Sequence, residues 1–262
     1  MLTLSSADWN AMVALFFYPL VRILAWLAVD PLLGNRAAPN SVRVGLAVAL
    51  AVVIVPTLPP PPPVPLVSGE GLLILLRQIA IGLALGFAMR IVFTAVEFAG
   101  QFMGLQMGLS MASLYDPING AQTPVLAQLL VITSALLLFA MNGHHQVIAA
   151  LWQSFHDIPV VPATPTAFGF SVLAGWGAAI FKAGLHIALP VTAALLTANL
   201  AIGMMTRAAP QLNIFAVGFP ITIGAGFVVL YFSIIYLPVY LERFWLQAVE
   251  VAGSAMRGMG GP

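Results

Sequence analysis

The chain contains no cysteine and very little charge: only 6% of its 262 residues are Asp, Glu, Lys or Arg. Without cysteine there can be no disulfide, no thiolate nucleophile and no Cys-ligated metal centre, and the redox compartment stays undetermined. The scarcity of charge is more informative. Soluble domains carry about 25% charged residues, whereas here 61% of the chain is hydrophobic and the mean hydropathy is +1.03. A soluble fold of this length cannot hide that much apolar surface, so the bilayer or other apolar subunits must act as its solvent. The net charge of +1 offers no electrostatic footprint for nucleic acid or an acidic substrate. The N-terminus, MLTLSSADWN, lacks a basic n-region and a small-residue cleavage site. It reads as mature sequence, with the first apolar helix as the insertion signal.

Catalytic patterns are missing as well. There is no GxSxG, no Gly-rich phosphate loop with a lysine, and no carboxylate pair in a recognisable setting. His144 and His145 are adjacent, so their rings point apart, whereas a helical metal site wants ligands at i,i+4. His156 and Asp157 follow in a stretch broken by proline. No catalytic residue, metal site or cofactor is therefore assigned. Lys182 and His186 do share a helix face, either as a packed polar pair or as a proton relay. Asp116-Pro117 marks a turn as readily as a base.

What the chain does have is apolar runs: residues 11–33, 44–58, 72–96, 125–141, 168–205 and 212–241. The fifth exceeds a span of about 20 residues and could be two short helices around Lys182, so hydropathy predicts six or seven spans. Neither a repeat nor a soluble domain is visible, and residues 1–262 read as one all-α membrane domain. Pro19, Pro190, Pro220 and Pro238 fall inside apolar runs. Proline frees a carbonyl, and in lipid such breaks survive mainly where protein or a cavity surrounds them. Arg22, Arg77, Arg90, Glu97 and Lys182 lie within or at the ends of these runs. Each costs roughly 2.5–3.5 kcal/mol at a bilayer centre, so each is expected to pair, to snorkel, or to face protein.

Small residues are patterned. Gly82 and Gly86 form a GxxxG, and Gly100, Gly104, Gly108 and Ala112 repeat on one helical face, where two backbones can approach closely. Met103, Met107 and Met111 line a neighbouring face, suited to helix packing or to a surface that repacks around changing partners. The linkers are also distinctive. Residues 56–71 (PTLPPPPPVPLVSGEG) form a stiff extended spacer. NGHHQ (142–146) ends the fourth run with turn chemistry, and FHDIPVVPATPTA (155–167) reads as a proline-broken loop. Arg36, Arg43 and Arg207 flank the runs, while 57–71 and 142–167 hold no Lys or Arg. By the positive-inside rule this suggests an outside N-terminus.

Four stretches, taken together and in order, resemble the FliR family: FFYPLVRILAWLAVDPLLGNRAAP (16–39), IGLALGFAMRIVFTAVEFAGQFMGLQMGLSMASLYDP (81–117), NGH (142–144) and ALPVTAALLTANLAIGMMTRAAPQLNIFAVGFPITI (188–223). These are flagellar export-gate subunits, related to a subunit of injectisome type III secretion systems. The proline run is a departure. The resemblance implies a protein that is not an enzyme and holds no cofactor. It implies kinked helical hairpins, one copy assembling with several copies of FliP and FliQ into a helical gate in the bacterial inner membrane. That gate belongs to the flagellar basal body and projects partly to the periplasm. FlhB wraps its entrance, FlhA lies nearby, and unfolded flagellar proteins pass through.

The resemblance further implies that the loop at about 106–122 plugs the closed channel, through Gln106, Met107, Gly108, Leu109, Ser110, Met111, Ala112, Ser113, Leu114, Tyr115, Asp116 and Pro117. Met107, Met111 and Leu114 would form a dry, deformable seal, and Asp116-Pro117 and Asn119-Gly120 would supply the turns. Arg77, Arg90, Glu97 and Lys182 become candidate inter-subunit charges, with Arg90 or Glu97 facing protein rather than lipid. The alternative is a small-molecule secondary transporter. It requires an inverted repeat and a midplane polar site, and neither is evident. A membrane-embedded enzyme would need the histidines to converge.

Overall fold

A computed structural model describes residues 6–34, 38–60, 62, 64–109, 125–162, 164, 166–209 and 214–260. Among these residues the fold is all-α. The helices are α1 (Ser6–Val29), α2 (Asn40–Ile54), α3 (Gly69–Gln106), α4 (Val125–Ala140), α5 (Gly143–Asp157), α6 (Ala167–Trp176), α7 (Ala179–Ala208), α8 (Ile214–Ser233) and α9 (Leu237–Gly260). Short 3-10 turns at Val55–Thr57 and Ile234–Tyr236 follow α2 and α8. Five stretches are long and apolar enough to cross a membrane, or six if α4 and α5 are counted as one broken span. The chain is thus an all-α membrane protein.

Three local expectations change. The fifth apolar run does not divide around Lys182. It breaks at Gly177–Ala178, and α7 then continues for 30 residues through Lys182 and Pro190. Glycines at 175 and 177 weaken the helix there, whereas lysine is a good helix former. The histidine pair does not close a run in a loop. Asn142, at φ 58, caps α5, and both histidines lie in its first turn. Helices α5 and α6 therefore take in Phe155, His156, Asp157 and Ala167 from the expected proline-broken loop. Finally, hydropathy captures only the start of α9. This helix buries Leu241, Phe244, Trp245, Ala248, Ala252, Ala255 and Met259 on one face and exposes Glu242, Arg243, Glu250 and Arg257 on the other. Of the prolines, 19, 190 and 220 sit inside α1, α7 and α8, while Pro238 occupies the first turn of α9, where no N–H is needed.

The chain forms two compact units. The first comprises residues 1–91, 142–177 and 245–262. Its interior holds Tyr18, Trp26, Ile74, Ile81, Leu85, Met89, Phe155 and Trp245. The GxxxG pair sets the approach of α3 to α1: a Cβ at Gly82 would lie 2.3 Å from the Arg22 carbonyl oxygen, and one at Gly86 would lie 2.7 Å from that of Trp26. No other residue fits such backbone contact. Indole donors tie the remaining pieces, Trp245 to the Gly143 carbonyl and Trp176 to that of Ala88, each at 3.3 Å.

The second unit comprises residues 92–141 and 178–244. Val92, Val96, Met103, Met107, Leu130, Val191 and Leu195 are buried in it. Glycines again set the closest approaches. A Cβ at Gly100 would lie 2.4 Å from Ala127 Cα, and one at Gly184 would lie 2.7 Å from the Ala95 carbonyl oxygen. Helices α7 and α8 pack against each other.

Candidate functional site

The soft, small-residue segment begins where α3 ends. Gly108, at φ +80, sits in the left-handed region. Its N–H donates to the Leu105 carbonyl at 3.0 Å, and the Leu109 N–H reaches back to that of Gly104 at 3.0 Å. This pair of bonds is the Schellman arrangement, which satisfies the terminal carbonyls of a helix without any side chain. Gly108 is therefore a cap rather than a further step of the small-residue stripe, which explains why the helix stops before Asp116-Pro117.

Packing anchors both ends of the segment within the second unit. Met107 is fully buried, and its side chain lies on Gly226 of α8, where a Cβ would come within 2.6 Å of Met107 Cγ. A Cβ on Gly108 would meet the Phe219 ring at 2.7 Å. On the far side, α4 starts at Val125 and is held to α3 by Ala127 on Gly100. Of the proposed plug residues, Gln106, Met107, Gly108 and Leu109 are described. Ser110, Met111, Ala112, Ser113, Leu114, Tyr115, Asp116 and Pro117 lie outside the described residues. What the geometry provides is a packed anchor on either flank of the segment.

The charged residues separate into distinct groups. Arg22 has no exposed surface. Its Nε donates to Gln78 Oε1 at 2.7 Å, Nη1 to the Ser154 carbonyl at 2.8 Å and Ser154 Oγ at 3.1 Å, and Nη2 to the Ile158 carbonyl at 2.9 Å. The guanidinium lies 4.1 Å from the Phe155 ring centroid. Arg77, also buried, donates to the Val161 carbonyl at 2.9 Å. Both arginines thus face protein, and both serve the backbone at and beyond the C-terminal end of α5, where the carbonyls carry the negative end of the helix dipole. Arg90 and Lys182 are exposed. Glu97 is half-buried and accepts a bond from Gln101 Nε2 at 3.2 Å.

Sequence reasoning missed Gln78, Ser154 and the carbonyls they accompany. It also missed Asp30, which follows the first candidate span, Met12–Val29. Asp30 Oδ2 accepts the N–H groups of Leu32 at 3.0 Å and Leu33 at 2.7 Å, closing the turn after α1. Burial nevertheless pushes its carboxyl up to about 6, against the opposing pull of the Leu33, Leu32 and Gly34 amides.

The histidines do not converge. His144 and His145 have ring centroids 4.0 Å apart on one turn of α5, and His186 stacks on Tyr240 at 5.0 Å. Among the described residues no group of three or more His, Asp or Glu side chains could hold a metal ion.

Known sequences match this chain over most of its length. The family described as bacterial export proteins, family 1, matches residues 13–248. The flagellar biosynthetic protein FliR of Escherichia coli (strain K12) is 41% identical over 226 residues, covering 86% of each chain. FliR of Pectobacterium carotovorum subsp. carotovorum is 39% identical over 256 residues, covering 98% of each chain. FliR of Bacillus subtilis (strain 168) is 35% identical over 249 residues, covering 94% of this chain and 95% of that one. The matched region takes in the buried arginines and both anchors of the soft segment, and on this evidence the chain belongs to bacterial export proteins family 1, the family of the flagellar biosynthetic proteins FliR.

Proposed function

We propose that the chain is a subunit of the flagellar type III protein export gate in the bacterial inner membrane, building the export channel with FliP-like and FliQ-like subunits. FlhB and FlhA would be its further neighbours and unfolded flagellar proteins its cargo in transit. In this reading the gate sits in the basal body and projects partly to the periplasm. The observation that carries the proposal is how the two described flanks of this segment are held: Met107 is buried against Gly226 where α3 ends, and Ala127 near the start of α4 packs on Gly100.

Residues 106–122 act as the closure. A constriction lined by Met111 and Leu114 would exclude ions by dewetting, with methionine suited to repack around a passing chain, while Met107, expected in the seal, is buried against Gly226 and serves as the anchor. The remaining surface suits an assembled subunit. Helix α2 turns Val42, Val44, Val48, Val52 and Val53 outward, and α7 exposes Phe181, Leu185, Leu189, Leu196 and Leu200. Faces of this kind need lipid or sister subunits to cover them. Arg90 and Glu97, with exposed or half-exposed side chains, lie where those subunits can reach them, whereas Arg77 works inside its own unit.

Two measurements test the proposal. Co-expressed with FliP-like and FliQ-like subunits, the chain should purify as one particle, and expressed alone it should aggregate. A monodisperse, folded monomer that takes up a single solute would instead favour a secondary transporter. Deleting residues 110–119 should make the inner membrane leak small ions once the gate is assembled; unchanged tightness would remove the plug from the proposal.

A further inference from the structure

A groove of about 380 Å³ opens in the second unit between α7, α8, the Ile234–Tyr236 turn and the start of α9. Its size falls within the range of small-molecule sites. Ile187, Pro190, Leu230 and Leu237 give it an apolar body, and the stacked His186–Tyr240 pair gives it a polar end. It forms where two helices are irregular. Pro190 interrupts the hydrogen-bond ladder of α7, and α8 gives way to a 3-10 turn.

Polarity is graded along α7. Lys182 lies one turn before His186 on the same face and is exposed. Among the described residues no carboxylate lies within ion-pair distance of it, the pairing found being Arg257 with Asp157. From Lys182 to Pro190 the helix rises about 12 Å. An ammonium therefore stands first, then an imidazole stacked on a phenol, then an apolar trough. The groove is cut into stretches long and apolar enough to cross a membrane, Ala167–Ala208 and Gly218–Met259. Tyr236 is exposed on the groove, and Phe181, Leu185 and Leu189 are exposed apolar side chains of the same α7.

We propose that this groove binds an anionic phospholipid of the surrounding bilayer. The phosphate rests against Lys182 with the His186–Tyr240 pair beside it, and one acyl chain lies along Ile187, Pro190, Leu230 and Leu237. Charge complementarity selects the occupant: an apolar side chain from another subunit would fill the trough but leave the ammonium without an anion. The site makes no use of the loop at 106–122 and does not depend on protein export.

The test replaces Tyr236, an exposed aromatic on the groove, with the photo-crosslinker p-benzoylphenylalanine in the full chain, irradiated in native membranes together with its partner subunits. Mass spectrometry should find an adduct of phospholipid mass. A protein adduct, or no adduct while the same probe at exposed Val52 captures lipid, overturns the proposal. In parallel, the purified wild-type particle and its Lys182→Gln variant are titrated with phosphatidylglycerol and with phosphatidylcholine by native mass spectrometry. One lysine near anionic lipid is worth about 1 kcal/mol, so retention of phosphatidylglycerol should fall about fivefold while phosphatidylcholine is unaffected. Equal retention of phosphatidylglycerol by both forms refutes the assignment. Loss of lipid binding with intact export, or the converse, separates this proposal from the channel reading.

Discussion

Replacing Arg22 by methionine tests whether the first unit is held by its buried guanidinium. Four hydrogen bonds reach three residues, yet their loss is not uniform. The Ser154 carbonyl also accepts the Ile158 N–H at 3.1 Å, and Ser154 Oγ donates to the Leu151 carbonyl at 2.6 Å. Both stay satisfied without Arg22. Gln78 Oε1 and the Ile158 carbonyl lose the donor that Arg22 gives them. A buried acceptor deprived of its donor costs about 1–3 kcal/mol, so the two together cost about 2–6 kcal/mol. Loss of the contact with Phe155 adds about 1 kcal/mol. Against this stands the relief of no longer holding a desolvated cation, which keeps the net nearer the 3–5 kcal/mol typical of a broken buried charge network.

The assay is thermal unfolding of the purified particle, with the abundance of the chain in membranes as a second readout. Arg22→Met should melt well below wild type. Arg22→Lys should recover less than half of the loss, because a single ammonium cannot span Gln78 on α3 and the end of α5 together. A double-mutant cycle sharpens the test. Gln78→Met removes one orphaned acceptor, so Arg22→Met with Gln78→Met should be less destabilised than the sum of the two, by about 1–3 kcal/mol. Strict additivity, or an Arg22→Met protein as stable as wild type, would refute the reasoning.

Two further predictions concern the same unit. Asp30 has a folded-state pKa raised to about 6 from 3.8, so the folded chain holds its proton more tightly than the unfolded chain does. That contribution to stability is fully present below pH 4 and is lost as pH rises through about 6, a difference of about 3 kcal/mol at neutral pH. Asp30→Asn, which keeps an acceptor for Leu32 and Leu33, should flatten this dependence and stabilise the particle near neutrality; parallel melting curves for both proteins between pH 4 and 8 would rule out the assignment. Gly82→Leu places a Cβ 2.3 Å from a backbone oxygen of α1, so the helices must part at a cost of about 1–3 kcal/mol or more. Gly45→Ala, with nothing within 4 Å, should be neutral or slightly stabilising, and equal melting shifts for the two substitutions would show that the close approach is not what holds α1 to α3.

How far the sequence discloses this structure depends on the kind of partner involved. Gly82 and Gly86 are legible because their role is written in their spacing: small residues four apart matter only where another backbone comes close. Arg22 and Arg77 are legible as anomalies, since an arginine in an apolar run must be accommodated somehow. Their partners are not legible. The Ser154 and Ile158 carbonyls lie 132 and 136 residues from Arg22, and a carbonyl has no side-chain signature. Helix α5 could have been found from Val147, Leu151 and Phe155, which are buried at a spacing of four, but the neighbouring histidines and prolines draw the reading towards a loop. Gly108 fits the small-residue stripe, yet the same lack of a Cβ lets it cap the helix, and spacing alone cannot separate the two uses. The soft segment from Gly104 to Pro124 stands out by composition, while its closure role enters only through the family resemblance.

Two helix ends in this chain satisfy their carbonyls in contrasting ways. Beyond α5 the chain leaves the helix in apolar surroundings, and Arg22 and Arg77 supply donors to the carbonyls of residues 154, 158 and 161. Displacing that stretch would strand acceptors and leave buried cations with fewer partners, so it is fixed in place. At Gly108 the helix end satisfies itself through backbone bonds to Gly104 and Leu105. The Gly104 and Leu105 carbonyls therefore need no donor from beyond Leu109. Packing of Met107 on Gly226 holds this helix end within the unit. The closure proposed for residues 106–122 would require this second kind of boundary, one whose own hydrogen bonds are complete by Leu109.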